Sequence, residues 1–236
     1  MPGILSIVIP AYNEGPFIHR ILDSVKSVQL LDGVTKEIIV VNDCSKDDTD
    51  QAVQRYRREN PDLDIRYLCH EVNQGKGAAL RTGFGEATGD WVIVQDADLE
   101  YDPRDYPALL KPLEENIADV VYGSRFLGAA RRPTMFWHMV ANKLLTFMTN
   151  ILYNNILTDM ETGYKVFCRD VVKDMTIHAR RFDFEPEFTA KILKRKVRIF
   201  EVPITFNPRD YSEGKKIKLK DAFEAVWTLV KYRFVD

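Results

Sequence analysis

Cysteine is scarce and unpatterned in this sequence. Cys44, Cys69 and Cys168 are an odd number at wide spacing, which argues against both a disulfide framework and a zinc site. Reduced thiols in a cytoplasmic protein are the expectation. An excess of one charge is also missing. The 33 basic and 35 acidic side chains leave a formal charge of -2, so no global field marks a nucleic-acid binder and any basic function is local. Long hydrophobic runs are absent too. The opening MPGILSIVIP has an apolar stretch too short for a signal peptide, with no basic residues before it. The most apolar later stretch, Phe136 to Leu157, is interrupted by His138, Asn142, Lys143, Asn154 and Asn155, so it does not read as a membrane span. Internal repeats and low-complexity segments are lacking as well.

What the chain has is alternation. Runs rich in Ile and Val (Ser6 to Ile9, Glu37 to Val41, Ile65 to Cys69, Trp91 to Gln95, Val120 to Tyr122) are separated by segments of helical spacing such as Phe17 to Val28 and Gln51 to Arg58. That pattern predicts an α/β fold of parallel strands with helical crossovers. With 236 residues and 45% apolar content, the chain can bury a full core in one large domain. Ligands of open sheets bind outside the carboxyl ends of the strands. The segments to search are therefore PAYNEG, NDCSKDDT, NQGKG and DADLE, which follow the first four strands.

DADLE is the most unusual of these. A buried strand runs directly into Asp96, Asp98 and Glu100 with no basic residue between them, and the repulsion of such a group asks for a cation. The string Asp-x-Asp also occurs at Asp48/Asp50 and Asp62/Asp64, where solvated acids are the plainer reading. Only the copy at 96 and 98 ends a core strand, where unpaired carboxylates are costly. Oxygen ligands of this kind suit Mg2+ or Mn2+, which takes one or two carboxylates plus substrate phosphates. The plain alternative is a strand end that caps the next helix and pairs with Arg104.

Taken together, VIPAYNE at 8–14, VVNDCSKDDT at 40–49, NQGKGAALRTG at 73–83, QDADLEYDP at 95–103 and YGSRF at 122–126 resemble glycosyltransferase family two, the inverting enzymes of GT-A fold. DMETGYKVF at 159–167, FDFEPE at 182–187 and VPITFNPRDYSEGKKI at 202–217 resemble its branch that glycosylates polyprenyl or dolichyl phosphate with glucose or mannose. The resemblance implies a Rossmann-like, mainly parallel sheet flanked by helices in a single GT-A domain over residues 1–205. Residues 206–236 would form a basic loop and an amphipathic C-terminal helix. It implies a hexosyltransferase that takes a nucleotide-diphosphate sugar, UDP-glucose or GDP-mannose in type. The motifs lean toward a UDP-hexose.

The same resemblance distributes roles. Pro10, Tyr12, Glu14 and Asp43 would contact base and ribose, with Asn42 standing where an acid is common. Asn13 is expected to cap a helix opened by Pro16, and Ser45, Asp47 and Asp48 to serve as caps. The glycines of NQGKG would let backbone approach the ligand, and Lys76 would reach its phosphate or base. Asp96 would hold the nucleotide sugar, Ala97 would face the nucleotide, and Asp98 and Glu100 would bind the metal, which neutralises the departing diphosphate.

The acceptor decides the rest of the mechanism. A sugar hydroxyl would need a general base, for which Asp159 and Glu161 are candidates. A lipid phosphate is already anionic and needs positioning and charge screening instead. Arg125, Arg131, Arg132, Arg209, Lys215 and Lys216 could supply these, with Arg125 and Arg209 ranked first. For the stretch from Pro133 the core of the protein is the preferred place, with Phe136 and Trp137 against lipid as the second reading. The expected partners are the nucleotide sugar, the polyprenyl phosphate and the cytosolic face of a membrane, with a homo-oligomer left open. Three alternatives remain at this stage: a transferase to a sugar hydroxyl, a non-catalytic nucleotide-sugar binder, and a sugar nucleotidyltransferase. The last lacks its glycine-rich loop after Ile9.

Overall fold

The structure is a computed structural model that describes residues 3–128, 132, 136–181, 183–208 and 219–235. The chain runs β1 (Gly3–Ala11), α1 (Gly15–Ser27), β2 (Val34–Asn42), α2 (Thr49–Glu59), β3 (Ile65–Cys69), α3 (Lys76–Glu86) and β4 (Trp91–Val94). A 3-10 turn at Pro103–Asp105 leads to α4 (Tyr106–Glu114) and β5 (Val120–Ser124). Then come α5 (Phe136–Tyr153), β6 (Lys165–Cys168), α6 (Asp170–Lys173), α7 (Phe184–Lys194), β7 (Ile199–Pro203) and α8 (Leu219–Phe234).

The seven strands form one sheet in the order β3-β2-β1-β4-β6-β5-β7. All neighbours pair in parallel except β6, which is antiparallel to both β4 and β5. The mainly parallel α/β sheet expected from sequence is thus present. The five strands read there are β1 to β5, with ends shifted by at most three residues. The reversal of β6 brings its first residue, Lys165, to the edge where the other strands end. Chain order also reverses between β1 and β4, the switch point where open sheets bind ligands.

Burial on both faces explains the continuous apolar runs. Ile7, Ile9, Val40 and Ile93 pack with Ile18 and Leu22 of α1, Val53 of α2 and Leu109 of α4. Val8, Ile39, Val41 and Val94 pack on the other face with Leu80 of α3 and Phe184 and Phe188 of α7. Each such side chain contributes about 1.5–3 kcal/mol when taken fully from water, so these two layers fix the strand ends on which the site is built. Gly83 lets α3 sit on β1, since a Cβ there would fall 2.3 Å from Val8.

The long apolar helix departs from the preferred expectation. Only Leu145, Thr146 and Thr149 of α5 are buried, while Phe136, Trp137, Leu144, Phe147 and Ile151 are exposed. The turns of α5 that touch protein meet α8 around Leu145, Met160, Ala225 and Leu229. No helix among the described residues is long and apolar enough to cross a membrane.

Candidate active site

At the first two strand ends the loops are stitched together. Asn13 adopts a positive φ of 54°, its N–H donates to Ser45 Oγ at 3.0 Å, and its side-chain oxygen accepts from Lys46 N at 2.8 Å. It does not cap α1. Glu14 holds the N-cap position but its side chain does not cap the helix, and Asp47 crosses from the next loop to accept from Gly15 N at 3.0 Å. The missing distance information explains the difference, because Asp47 is remote in sequence and adjacent in space. Glu14 N donates to Thr49 Oγ1, which leaves the half-buried Pro10 and Tyr12 on the rim of this joined loop.

Asp43 is buried at the end of β2. Its carboxylate accepts from Gln74 N at 2.9 Å, Gly75 N at 2.6 Å and the His70 ring at 2.7 Å. It therefore shapes the NQGKG loop. The glycines of that loop face protein, which corrects the expectation that they open the backbone to a ligand. Gly75 has φ 91°, and a Cβ there or at Gly77 would collide with the backbone of Ala179 and Arg180.

Lys76 supplies the cation that the acids at β4 demand. Its Nζ lies 2.8 Å from Asp96 Oδ1 and 2.9 Å from Glu185 Oε1. Burial disfavours its charge, but the attraction of Asp96 and Glu185 prevails and raises its pKa well above the usual range. Glu185, on the first turn of α7, had no assigned role in sequence, although it stands in the FDFEPE piece. Arg104 pairs with Asp102, 2.9 Å from its Nε, so the plain alternative of an Arg104 contact to the strand-end acids fails.

Beyond Asp96, Ala97 is buried and Leu99 takes a positive φ of 61°. This kink sets Asp98 and Glu100 on a half-buried turn, where Glu100 N donates to Asp98 Oδ1 at 3.2 Å. No group of three metal-ligating side chains is assembled among the described residues. Two accessible carboxylates nonetheless fit a Mg2+ or Mn2+ ion whose remaining ligands come from a diphosphate and water.

The end of β5 carries a buried, two-pronged ion pair. Arg125 donates from Nε and Nη2 to the two oxygens of Asp159, both at 2.7 Å, and its backbone N–H adds a third bond at 3.0 Å. Asp159 is 0% exposed. Burial opposes the Arg125 charge, yet Asp159 raises its pKa. The backbone around Asp159 is held by Glu201 of β7, which accepts from Thr158 N and Asp159 N. An acid inside the apolar run of β7 was a sequence signal for this role. Phe206 covers the Arg125 guanidinium at 5.2 Å. Arg132 is exposed and donates its N–H to Phe206 O at 3.1 Å. Arg131, Arg209, Lys215 and Lys216 lie outside the described residues.

The mainly parallel sheet, with carboxylates and buried cations gathered at its binding edge, has the GT-A fold. The fold resembles that of glucosyl-3-phosphoglycerate synthase from Mycobacterium tuberculosis, solved with Mn2+, UDP and glucosyl-3-phosphoglycerate. The TM-score is 0.75 at 21% identity, over 99% of this chain and 81% of that one. The chain belongs to Glycosyl transferase family 2, whose family model matches residues 6–176, and it is a glycosyltransferase. It is 30% identical to a dolichyl-phosphate beta-glucosyltransferase of Trichomonas vaginalis, over 96% of this chain and 72% of that protein. It is 29% identical to a dolichol-phosphate mannosyltransferase of Pyrococcus furiosus, over 93% of this chain and 61% of that protein.

Proposed function

We propose that this enzyme transfers a hexose, with inversion, from a nucleotide-diphosphate sugar to a polyprenyl or dolichyl phosphate. The observation that carries this reading is the Arg125–Asp159 pair. The nearest candidate base has both oxygens engaged by a guanidinium and no exposed surface. Such a site suits a nucleophile that arrives already ionised. One phosphate oxygen of the acceptor attacks the anomeric carbon, the bond from that carbon to the nucleoside diphosphate breaks, and the diphosphate leaves with the electron pair. No proton has to move. The kinship with dolichyl-phosphate hexosyltransferases supports the same acceptor.

In this reading the rim of the joined loops, with Pro10, Tyr12 and Glu14, receives the nucleoside, and Asp43 holds the loop that closes over it. Lys76 keeps Asp96 in place beside the donor sugar, while Arg125, with Arg131, Arg209 and Lys215, screens the acceptor phosphate. Asp98 and Glu100 would hold Mg2+ or Mn2+, which when bound neutralises charge on the leaving diphosphate. The exposed aromatic side chains of α5 and Trp227 of α8 support a peripheral seat on the cytosolic leaflet, where a polyprenyl phosphate presents its headgroup.

The test is transfer of radiolabelled hexose from UDP-glucose and GDP-mannose to a short polyprenyl phosphate, the matching polyprenol and simple sugars. Only the phosphate should be glycosylated. Asp98→Asn should abolish transfer and the metal-dependent part of donor affinity, with Asp62→Asn as the unaffected control. A preference for a free hydroxyl, or equal activity in chelator and in Mn2+, would overturn the corresponding part of the reading.

A further inference from the structure

Among the described residues, one fully buried side-chain oxygen lacks a hydrogen-bond partner, and it is Oε1 of Glu161. Such atoms are rare in folded proteins, and each asks for a ligand, an ion or a water. Glu161 stands on a turn that is fixed from several sides. Thr162 Oγ1 donates to Gly123 O at 2.5 Å, Gly163 N donates to the Tyr101 hydroxyl at 2.8 Å, and Lys165 Nζ donates to the carbonyls of Met160 and Thr162. The turn also touches the donor-side acid, since a Cβ on Gly163 would fall 2.6 Å from Asp96 Oδ2.

The charges around Glu161 are already committed. Arg125 is held by Asp159, Lys76 is shared by Asp96 and Glu185, and Lys165 is spent on backbone carbonyls. Burial, and after it the neighbouring Glu185, pushes the Glu161 pKa up. Burial likewise pulls Lys165 down, so both groups move toward neutrality. A protonated carboxyl donates through one oxygen and accepts through the other. A sugar hydroxyl also donates and accepts, whereas a phosphate oxygen only accepts and a hard cation prefers an ionised carboxylate. The terminal torsion of a glutamate is broad, so this half-buried residue can turn a carboxyl oxygen while the backbone stays in place.

We propose that Glu161 is a hexose-recognition residue, whose carboxyl group pairs with one hydroxyl of the sugar being transferred and so determines which hexose the site accepts. This rests on the glycosyl-transfer reading above and adds the residue that reads the sugar.

The experiment uses the full chain, UDP-glucose and a series of UDP-deoxyglucoses, with the polyprenyl phosphate as acceptor. Turnover by the wild type tests the transfer reading by itself. Glu161→Gln, which keeps a donor and an acceptor in the same shape, should lose less than tenfold in kcat/KM. Glu161→Leu should lose a hundredfold or more, with the Kd for UDP unchanged within twofold. One deoxy donor should be as poor with the wild type as the complete donor is with Glu161→Leu, and that variant should not penalise it further. A Gln variant as impaired as Leu, a parallel loss of UDP affinity, or independent penalties at every hydroxyl would overturn the assignment. If Glu161→Leu does not fold, the Gln variant and the deoxy series decide, and a hundredfold loss for Gln overturns it.

Discussion

The two halves of the binding edge solve the same problem in opposite ways. On the β1–β2 side, the polar groups of the loops satisfy one another through neutral or singly charged hydrogen bonds, as Asp43 does with Gln74, Gly75 and His70. On the β4–β6–β5 side, the groups are carboxylates and cations in close contact, and Glu161 Oε1 is left over. The first half is complete without a ligand, which suits a rigid cradle. The second leaves one buried oxygen unpaired, the place that the proposed sugar hydroxyl would take. Preorganised groups of this kind act on the reacting charges at no reorganisation cost.

Breaking the charged half should have the largest effect. Asp159→Ala leaves a buried arginine without its counter-ion, and should cost about 3–5 kcal/mol in urea denaturation and abolish transfer. A loss below about 1 kcal/mol would mean that water replaces the carboxylate. Breaking the hydrogen-bonded half should cost less. Asp43→Asn keeps the shape but sets an amide against the N–H groups of Gln74 and Gly75, for a loss of about 1.5–3 kcal/mol and weaker donor binding by calorimetry. If donor affinity survives intact, the NQGKG loop does not cover the nucleotide.

The smallest effect sharpens the comparison by leaving the cluster. Asp105 is half-buried, accepts from Thr205 N at 2.8 Å, and burial raises its pKa from 3.8 to about 6. Its folded form binds the proton more tightly than the unfolded chain. The group is therefore least costly below pH 3.8, and stability is lost as the pH rises through 6. Asp105→Asn should accordingly stabilise by about 1 kcal/mol at pH 7.5, after allowance for solvent screening, with the gain vanishing near pH 3.5. Thermal melts at the two pH values check it.

Sequence patterning made the sheet legible where strands are buried on both faces, because runs such as LSIVI and IIVV have no other explanation. It missed β6 and β7. KVFC is four residues long and opens on a lysine, and IFEVP has the mixed exposure of an edge strand, so neither shows a period long enough to read. The acids of DADLE were visible, and so was their need of a cation. Lys76 was singled out as well, yet only the folded chain shows that Asp96 and Glu185 hold it. The same limit hid the partner of Asp159 and the contacts of Asp43, all of which join positions distant in sequence. The long apolar helix was misplaced because periodicity reports which residues share a face and is silent on what covers it.

The reversal of β6 carries a consequence for how such an enzyme diversifies. Because β5 and β6 are antiparallel neighbours, the 40 residues 125–164 between them leave and rejoin the sheet at one place. The neck of this excursion is buttoned by Arg125 on Asp159, Ser124 Oγ with Thr158 Oγ1, and Thr162 on Gly123. An excursion with a closed neck can be lengthened, shortened or exchanged without rethreading the other strands. A lineage can therefore edit this one insert while Asp43, Lys76 and Asp96, which stand outside it, keep their places at the strand ends.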